Sequence, residues 1–292
     1  MSKMLFVIAQ PLTQDYNEFF DLVIPRLAPS ASCLDVLVSS IIEDTAQLNF
    51  VLLTLYTQIR HKLILANFTY SFEIDIHVNA QLNFQLCDYQ IFYPWKENVP
   101  SALRRCNMTG VQTLPSHITK TVDNSASMGY HTSAVVAVGG TFDHLHDGHK
   151  ILLLMAAFAS KQTVIIGVTG LELLQNKKYA SALQSLDMRM NKTCTFLRKI
   201  LQPGQQFRIY QINDVCGPTG YIPWIDSLVI SEETAQGAAY VNETRIQRGF
   251  SPLQVVCVKV IGLNGPSNCN SWDGKLSSTE LRRLELELLK LL

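Results

Sequence analysis

The sequence predicts an α/β protein whose second half is a doubly wound five-stranded parallel sheet of order 3-2-1-4-5, preceded by a smaller α/β domain. Three observations carry this. Short apolar runs such as Ala134–Val138 (AVVAV), Thr163–Val168 (TVIIGV) and Ser227–Ser231 (SLVIS) do not alternate with polar residues, as expected for parallel strands buried on both faces. Helical patterns separate these runs, which is the rhythm of an α/β sheet. Gly139 and Gly140 follow the first run at once, and a helical pattern opens a few residues later. That strand–glycine–helix layout leaves backbone N–H groups and a positive dipole end facing a ligand.

The 292 residues suit two domains, each large enough to bury a core. Apolar residues make up 47% and charged ones 16%, the composition of a packed protein. The formal net charge is zero, so bulk electrostatics predict no nucleic-acid partner. Seven cysteines (Cys33, Cys87, Cys106, Cys194, Cys216, Cys257, Cys269) are scattered without a CxxC pair. We expect reduced thiols in a reducing compartment, hence a cytoplasmic protein. The opening run Met4–Ala9 is too short for a signal segment, and the apolar stretch Leu48–Ala66 is broken by Arg60, His61 and Lys62. No membrane span is expected.

In chain order, residues 1–114 form the N-terminal domain. Strands are expected at Met4–Ala9, Leu34–Ser39, Phe72–Val78 and Phe84–Tyr93, with helices at Asn17–Leu27 and Thr45–Ile59. In Phe72–Val78 the charged Glu73, Asp75 and His77 alternate with apolar residues, which predicts a half-exposed strand. No phosphate loop or acid–base cluster is legible in this domain, so a structural or interaction role is expected. Residues 115–133, rich in Ser, Thr and Asn, read as a linker. In residues 134–292 the strands are Ala134–Val138, Thr163–Val168, Phe207–Ile212, Ser227–Ser231 and Gln254–Ile261. Asp187 is expected to cap a helix that Pro203-Gly204 stops, and Glu232–Gly249 and Leu276–Leu292 to be helices. Right-handed crossovers put the switch point between the first and fourth of these strands, where a ligand is expected.

The candidate functional residues cluster at those strand ends. Gly139, Gly140, Thr141 and Phe142 lead into His144, His146, Gly148 and His149. His146 and His149 are three apart and share a face once the helix has begun. Three histidines within six positions also suit a metal cluster, with Asp143 and Asp147 as the nearby carboxylates. Lys177 and Lys178 follow the second strand; they are either a solvated turn or a phosphate contact. Ser231, Glu232 and Glu233 follow the fourth strand, where they can cap a helix or border a ligand. Ser277 and Glu280 have capping-box spacing, and Ser277, Ser278 and Thr279 also suit phosphates, with Arg282 one turn on.

The run GGTFDHLHDGHK carries the HxGH signature at His146–His149 and resembles the phosphopantetheine adenylyltransferases of the eukaryotic and archaeal type, a branch of the nucleotidyltransferase superfamily. The segments GVTGLELLQNKKY, SEET and LSSTELR are similar to that family's later motifs and occur in its order, so the resemblance covers about residues 134–289. It implies a Rossmann-like nucleotidyltransferase fold and transfer of an adenylyl group from MgATP to 4′-phosphopantetheine, giving dephospho-coenzyme A and pyrophosphate. It implies that His149 contacts the α-phosphate. It further implies that His146, Thr141, Lys177 and Ser277–Thr279 hold the remaining phosphates, His146 and Lys177 acting with His149 in catalysis, that Arg282 reaches them, and that Thr141 and Lys177 also meet the phosphopantetheine. Gly139, Gly140, Phe142, Gly148, Ser231, Glu232 and Glu233 would complete the ATP site. Mg²⁺ is expected to travel with ATP rather than in a protein cage. Bacterial relatives place an arginine near the fourth strand, and here none precedes Arg245. The rival readings are a nicotinamide-nucleotide adenylyltransferase, a cytidylyltransferase, or a non-catalytic scaffold that binds other coenzyme A-making proteins through its N-terminal domain.

Overall fold

A computed structural model of the chain describes residues 3–79, 89–103, 106–114, 117–118, 129, 132–259 and 277–290. The chain divides into two units, Met1–Glu43 with Phe50–Asp123, and Asp44–Asn49 with Asn124–Leu292. Most of the expected linker at 115–133 lies outside the described residues, as does the end of the strand expected at Gln254–Ile261.

The first unit runs β1 (Lys3–Ile8), α1 (Asn17–Val23), β2 (Cys33–Val38), α2 (Thr45–Leu65), β3 (Glu73–Val78), β4 (Tyr89–Pro94) and β5 (Met108–Val111). All five strands are parallel and ordered β3-β2-β1-β4-β5. Alternate residues of β1 serve opposite faces. Phe6 meets the rings of Phe19, Phe20 and Phe92 at 5.6, 6.2 and 6.2 Å. Leu5 and Val7 join Leu37, Ile91 and Leu103 on the other side. Helix α2 buries a stripe, Leu48, Val51, Leu52, Leu55, Ile59 and Leu63, at the spacing a helix needs for one apolar face.

Two expectations for this unit are corrected. β3 is not half-exposed, because Asp75 and His77 are only 2% and 3% exposed. The His77 Nε2 atom lies 2.7 Å from Asp35 Oδ1 on β2, and the Tyr89 hydroxyl donates to Asp35 Oδ2 at 3.0 Å. Polar side chains that pair across neighbouring strands can face a core. β5 was not anticipated, since four residues without an apolar run give little signal, and the expected start of β4 at Phe84 lies outside the described residues.

The second unit runs β6 (Ser133–Gly140), α3 (Asp147–Ala159), β7 (Ser160–Thr169), α4 (Leu186–Ile200), β8 (Gln206–Ile212), β9 (Ser227–Ser231), α5 (Ala235–Gln247), β10 (Gln254–Val258) and α6 (Ser278–Leu289). Its parallel sheet is ordered β10-β9-β6-β7-β8, which in chain order is 3-2-1-4-5. Helix α3 is apolar nearly all round and packs on β6, β7 and β9 and against α4, with all but His149 of its residues buried. Ser185, not Asp187, caps α4, its Oγ accepting from the Met188 amide at 3.3 Å. The helix therefore starts earlier than expected, and Asp187 lies in its first turn, where its charge complements the dipole. A 3₁₀ turn, Glu232–Thr234, precedes α5, and Gly249 at φ +74° ends that helix. Among the described residues no helix is long and apolar enough to cross a membrane.

Candidate active site

The strand order brings the carboxyl ends of β6 and β9 side by side, and a cavity of about 670 Å³ opens there. Its wall includes Gly139, Gly140 and Thr141 from the end of β6, and His146, Gly148 and His149 from the start of α3. Lys177 lines it from the turn after β7, Ser231 and Glu233 from the turn after β9, and Ser277, Ser278, Thr279 and Arg282 from the start of α6.

The turn between β6 and α3 is held in an uncommon shape. Phe142 and His144 both take left-handed backbone conformations, with φ +49° and +47°, which non-glycine residues adopt only where the surroundings enforce them. Phe142 is fully buried, and a Cβ on Gly140 would lie 3.2 Å from its ring. The same ring stands 5.3 Å from that of His149. Gly140 thus lets Phe142 fold under the strand end and support the imidazole from behind. Phe142 does not line the cavity, nor does the exposed Glu232.

The rings of His146 and His149 stack with centroids 3.9 Å apart and planes at 26°. His146 is the N-cap residue of α3, and its side chain makes no capping hydrogen bond, while its carbonyl accepts from the Lys150 amide at 3.0 Å. Burial, then the nearby charges of His146, His144 and Lys177, hold the His149 imidazole well below its ordinary value. It is therefore neutral at physiological pH. Ser277 caps α6 by accepting from the Glu280 amide at 3.3 Å, and Ser278 Oγ lies 3.4 Å from His146 Nε2. Lys177 lines the cavity, whereas Lys178 contributes its carbonyl to the Arg282 Nε at 3.0 Å.

Charged residues to which the sequence assigns other roles, or in Arg189 none, organise this site. Asp143 is fully buried; its Oδ2 accepts from Arg282 Nη1 at 2.5 Å and its Oδ1 from the Gln184 amide at 3.0 Å. Ser278 Oγ donates to the Asp143 carbonyl at 2.9 Å. Burial works to raise the Asp143 carboxyl, and contacts from His144, the Gln184 amide and Arg282 outweigh it, leaving it below its ordinary value. Arg282 was expected to reach phosphates. It lies at the cavity wall, but its guanidinium is engaged by Asp143, the Lys178 carbonyl and the Thr279 hydroxyl. Arg189, fully buried on α4, donates from Nη1 to the carbonyls of Thr141 at 2.9 Å and Thr169 at 2.8 Å, pinning the ends of β6 and β7. Arg245 donates to carbonyls of Thr219, Ile222, Pro223, Ile225 and Ser251, so its guanidinium is fully engaged with the backbone.

The crevice thus gathers imidazoles, hydroxyls and the Lys177 side chain at one switch point, a layout found in nucleotidyltransferases. Residues 137–284 match the cytidylyltransferase-like family, and the chain belongs to that family. The chain is 50% identical over 150 residues to the phosphopantetheine adenylyltransferase of Saccharomyces cerevisiae, covering 51% of this chain and 48% of that one. It is 40% identical over 179 residues to an uncharacterized Schizosaccharomyces pombe protein, covering 60% and 54%. With the phosphopantetheine adenylyltransferase of Thermococcus gammatolerans it shares 37% over 148 residues, covering 50% and 86%. The chain spans about half the length of the two yeast relatives. Within its family it stands with the phosphopantetheine adenylyltransferases.

Proposed function

We propose that this protein transfers an adenylyl group from ATP to 4′-phosphopantetheine, releasing pyrophosphate and forming dephospho-coenzyme A. The observation that carries this reading is the stacked His146–His149 pair at the start of α3, with Ser278 beside one imidazole and Lys177 lining the same cavity.

In the proposed reaction an oxygen of the phosphopantetheine phosphate attacks the α-phosphorus of ATP. A new P–O bond forms, the bond between the α-phosphorus and the bridging oxygen breaks, and pyrophosphate leaves with that oxygen. The attacking phosphate is already anionic, so alignment and charge stabilisation dominate over proton abstraction. His149, neutral in the open crevice, donates to a non-bridging α-phosphate oxygen, and phosphate charge beside it draws it toward its protonated form. His146 and the Ser277–Thr279 turn hold the β- and γ-phosphates. Thr141 and Lys177 hold the incoming phosphate, while Gly139, Gly140, Gly148, Ser231 and Glu233 shape the ATP seat. Phe142 supports the His149 ring, and Arg282 holds the turn in place.

Among the described residues no group of three His, Cys, Asp or Glu side chains is arranged to hold a metal ion. Mg²⁺ is proposed to arrive bound by the nucleotide's own phosphates, where it would neutralise charge on the leaving group. Free thiols at Cys33, Cys106, Cys194, Cys216 and Cys257 support a cytoplasmic setting. The first unit is proposed as a docking surface for other proteins of coenzyme A synthesis.

The test is pyrophosphate release by the purified chain with ATP or CTP against 4′-phosphopantetheine, nicotinamide mononucleotide and phosphocholine. We expect turnover with ATP and 4′-phosphopantetheine. Turnover confined to another pair would replace this reading with one of the rival transferases, and no turnover with any pair would favour the scaffold.

A further inference from the structure

Helix α6 carries the Ser277–Thr279 turn, yet among its described residues it fully buries only one side chain, Arg282. A helix is ordinarily held by an apolar face, so α6 depends on polar ties to stay in place. One tie is the Arg282–Asp143 pair. The second lies beside it. His144 Nδ1 is 3.1 Å from Asp143 Oδ1, and its Nε2 is 2.5 Å from Glu285 Oε2. Arg282 and Glu285 are three apart on α6 and so share a face, which meets the adjacent residues Asp143 and His144 in the turn. Arg283 turns elsewhere and pairs with Glu280 and Glu287 of its own helix. The Nε2 contact with Glu285 is a hydrogen bond and puts a proton on that nitrogen, while Nδ1 stands close to the Asp143 carboxylate without a hydrogen bond, so both carboxylates favour the charged ring. When His144 is protonated the four groups form a line of alternating charges, Arg282–Asp143–His144–Glu285.

We infer that His144 is a positioning residue for the transfer reaction: by bridging the Asp143 and Glu285 carboxylates it fixes α6 against the turn after β6 and holds the Ser277–Thr279 phosphate seat in register with His146. The inference rests on the phosphate role proposed above for that seat. The left-handed backbone at His144 is consistent with a residue held in place by contacts on both sides.

The charges facing His144 set the direction of its pH dependence. Asp143 lies in its own turn, and Glu285 and Arg282 face it from α6, while His149 on α3 feels its charge. The contact with Asp143 first, and with Glu285 second, raises the His144 imidazole above its ordinary value against the opposing effect of burial. A raised value means that the clamp is complete below the ordinary imidazole range. It is lost as pH rises through the raised value.

The experiment has two arms. In the first, hydrogen exchange of α6 is followed in the ligand-free full chain between pH 6 and 9, for the wild type, His144→Asn, Glu285→Gln and His144→Arg. In the second, kcat and the KM for ATP are measured over the same range. The wild type should lose α6 protection, and its KM for ATP should rise about fivefold, as pH increases, with kcat changing less. His144→Asn and Glu285→Gln should show the weakened state at every pH. His144→Arg, whose fork stays charged and can span both carboxylates, should restore protection and abolish the pH dependence. Unchanged protection in His144→Asn, or an arginine variant that behaves like asparagine, would overturn the clamp. Lost protection with an unchanged KM would overturn its role in positioning. If the wild type transfers no nucleotide at all, the reading of the site falls, and the exchange arm decides the clamp without substrate.

Discussion

The two sheets of this protein have the same strand order, all parallel, and so each creates a crevice where its first and fourth strands end. What fills the crevice differs. In the first unit β1 continues into Ala9 and Gln10, and the chain supplies its own anion. Glu97 Oε2 accepts from the Ala9 amide at 2.7 Å, the Gln10 amide donates to the Tyr16 hydroxyl at 2.8 Å, and that hydroxyl donates to Glu97 Oε1. A carboxylate thus occupies amides of the type that would otherwise bind a phosphate. In the second unit β6 ends on two glycines, and the start of α3 faces an open cavity. Topology creates the crevice in both cases, and a few residues at the strand ends decide whether it is sealed or loaded.

The comparison breaks most sharply at His149. His149→Ala should lower kcat by about 10²-fold or more with little change in KM, as for removal of a donor aimed at the transition state. Steady-state kinetics check this, and a near-normal kcat would remove His149 from the chemistry. Next in size is the lysine pair. Lys177→Ala should lower kcat/KM by about tenfold or more. Lys178→Ala should be nearly neutral, because Arg282 uses only its carbonyl. Equal losses would mean that both ammonium groups face the phosphates.

The sealed crevice should respond in stability. Glu97→Ala leaves the Ala9 amide and Tyr16 hydroxyl without their partner and should cost about 1–3 kcal/mol in urea unfolding followed on the first unit. Glu97→Gln keeps an acceptor without burying a charge. Burial already pushes the Glu97 carboxyl up against the opposing pull of Tyr16 and the Ala9 amide, so its ionised form is disfavoured in the fold. A raised carboxylate value contributes stability that is fully present below the unfolded pKa and is lost as pH rises through the folded one. The glutamine variant should therefore be less pH-sensitive than the wild type, and both changes should leave kcat untouched. The smallest effect is expected from a fragment starting near Ser127, which contains all five strands of the second sheet. It should keep transfer within roughly tenfold of the full chain, about 1.4 kcal/mol in transition-state stabilisation. A folded but inactive fragment would show that the first unit contributes to the reaction.

The second sheet was legible because continuous apolar strands, a double glycine and helical punctuation all point the same way. The first was less so. Asp75 and His77 mimic the outer face of a strand, and their burial depends on Asp35 of a neighbouring strand, a pairing that periodicity does not encode. At the site, the histidines and the serine cap are local patterns. The clamp is not, since His144 and Glu285 are 141 residues apart in the chain. A fainter signal was present for the buried arginines. Arg189 shares the buried stripe of α4 with Thr193, Phe196, Leu197 and Ile200, and Arg245 shares that of α5 with Ala238 and Val241. A guanidinium on an apolar stripe means that backbone carbonyls await it inside.

Those arginines bear on how polyanions find a chain whose formal net charge is zero. Arg189 is bonded only to carbonyls, and two of them belong to Thr141 and Thr169 on the cavity wall. Its charge remains within the fold, because guanidinium does not deprotonate in proteins. Low-dielectric walls focus such a charge into the cleft above it. In the proposed reaction the potential that would draw a triphosphate inward comes from Arg189 within the fold as well as from Lys177 at the wall, and the buried part is shielded from dissolved ions. Raising ionic strength should slow capture of the nucleotide far less than it would for a protein that recruits phosphates with surface lysines alone.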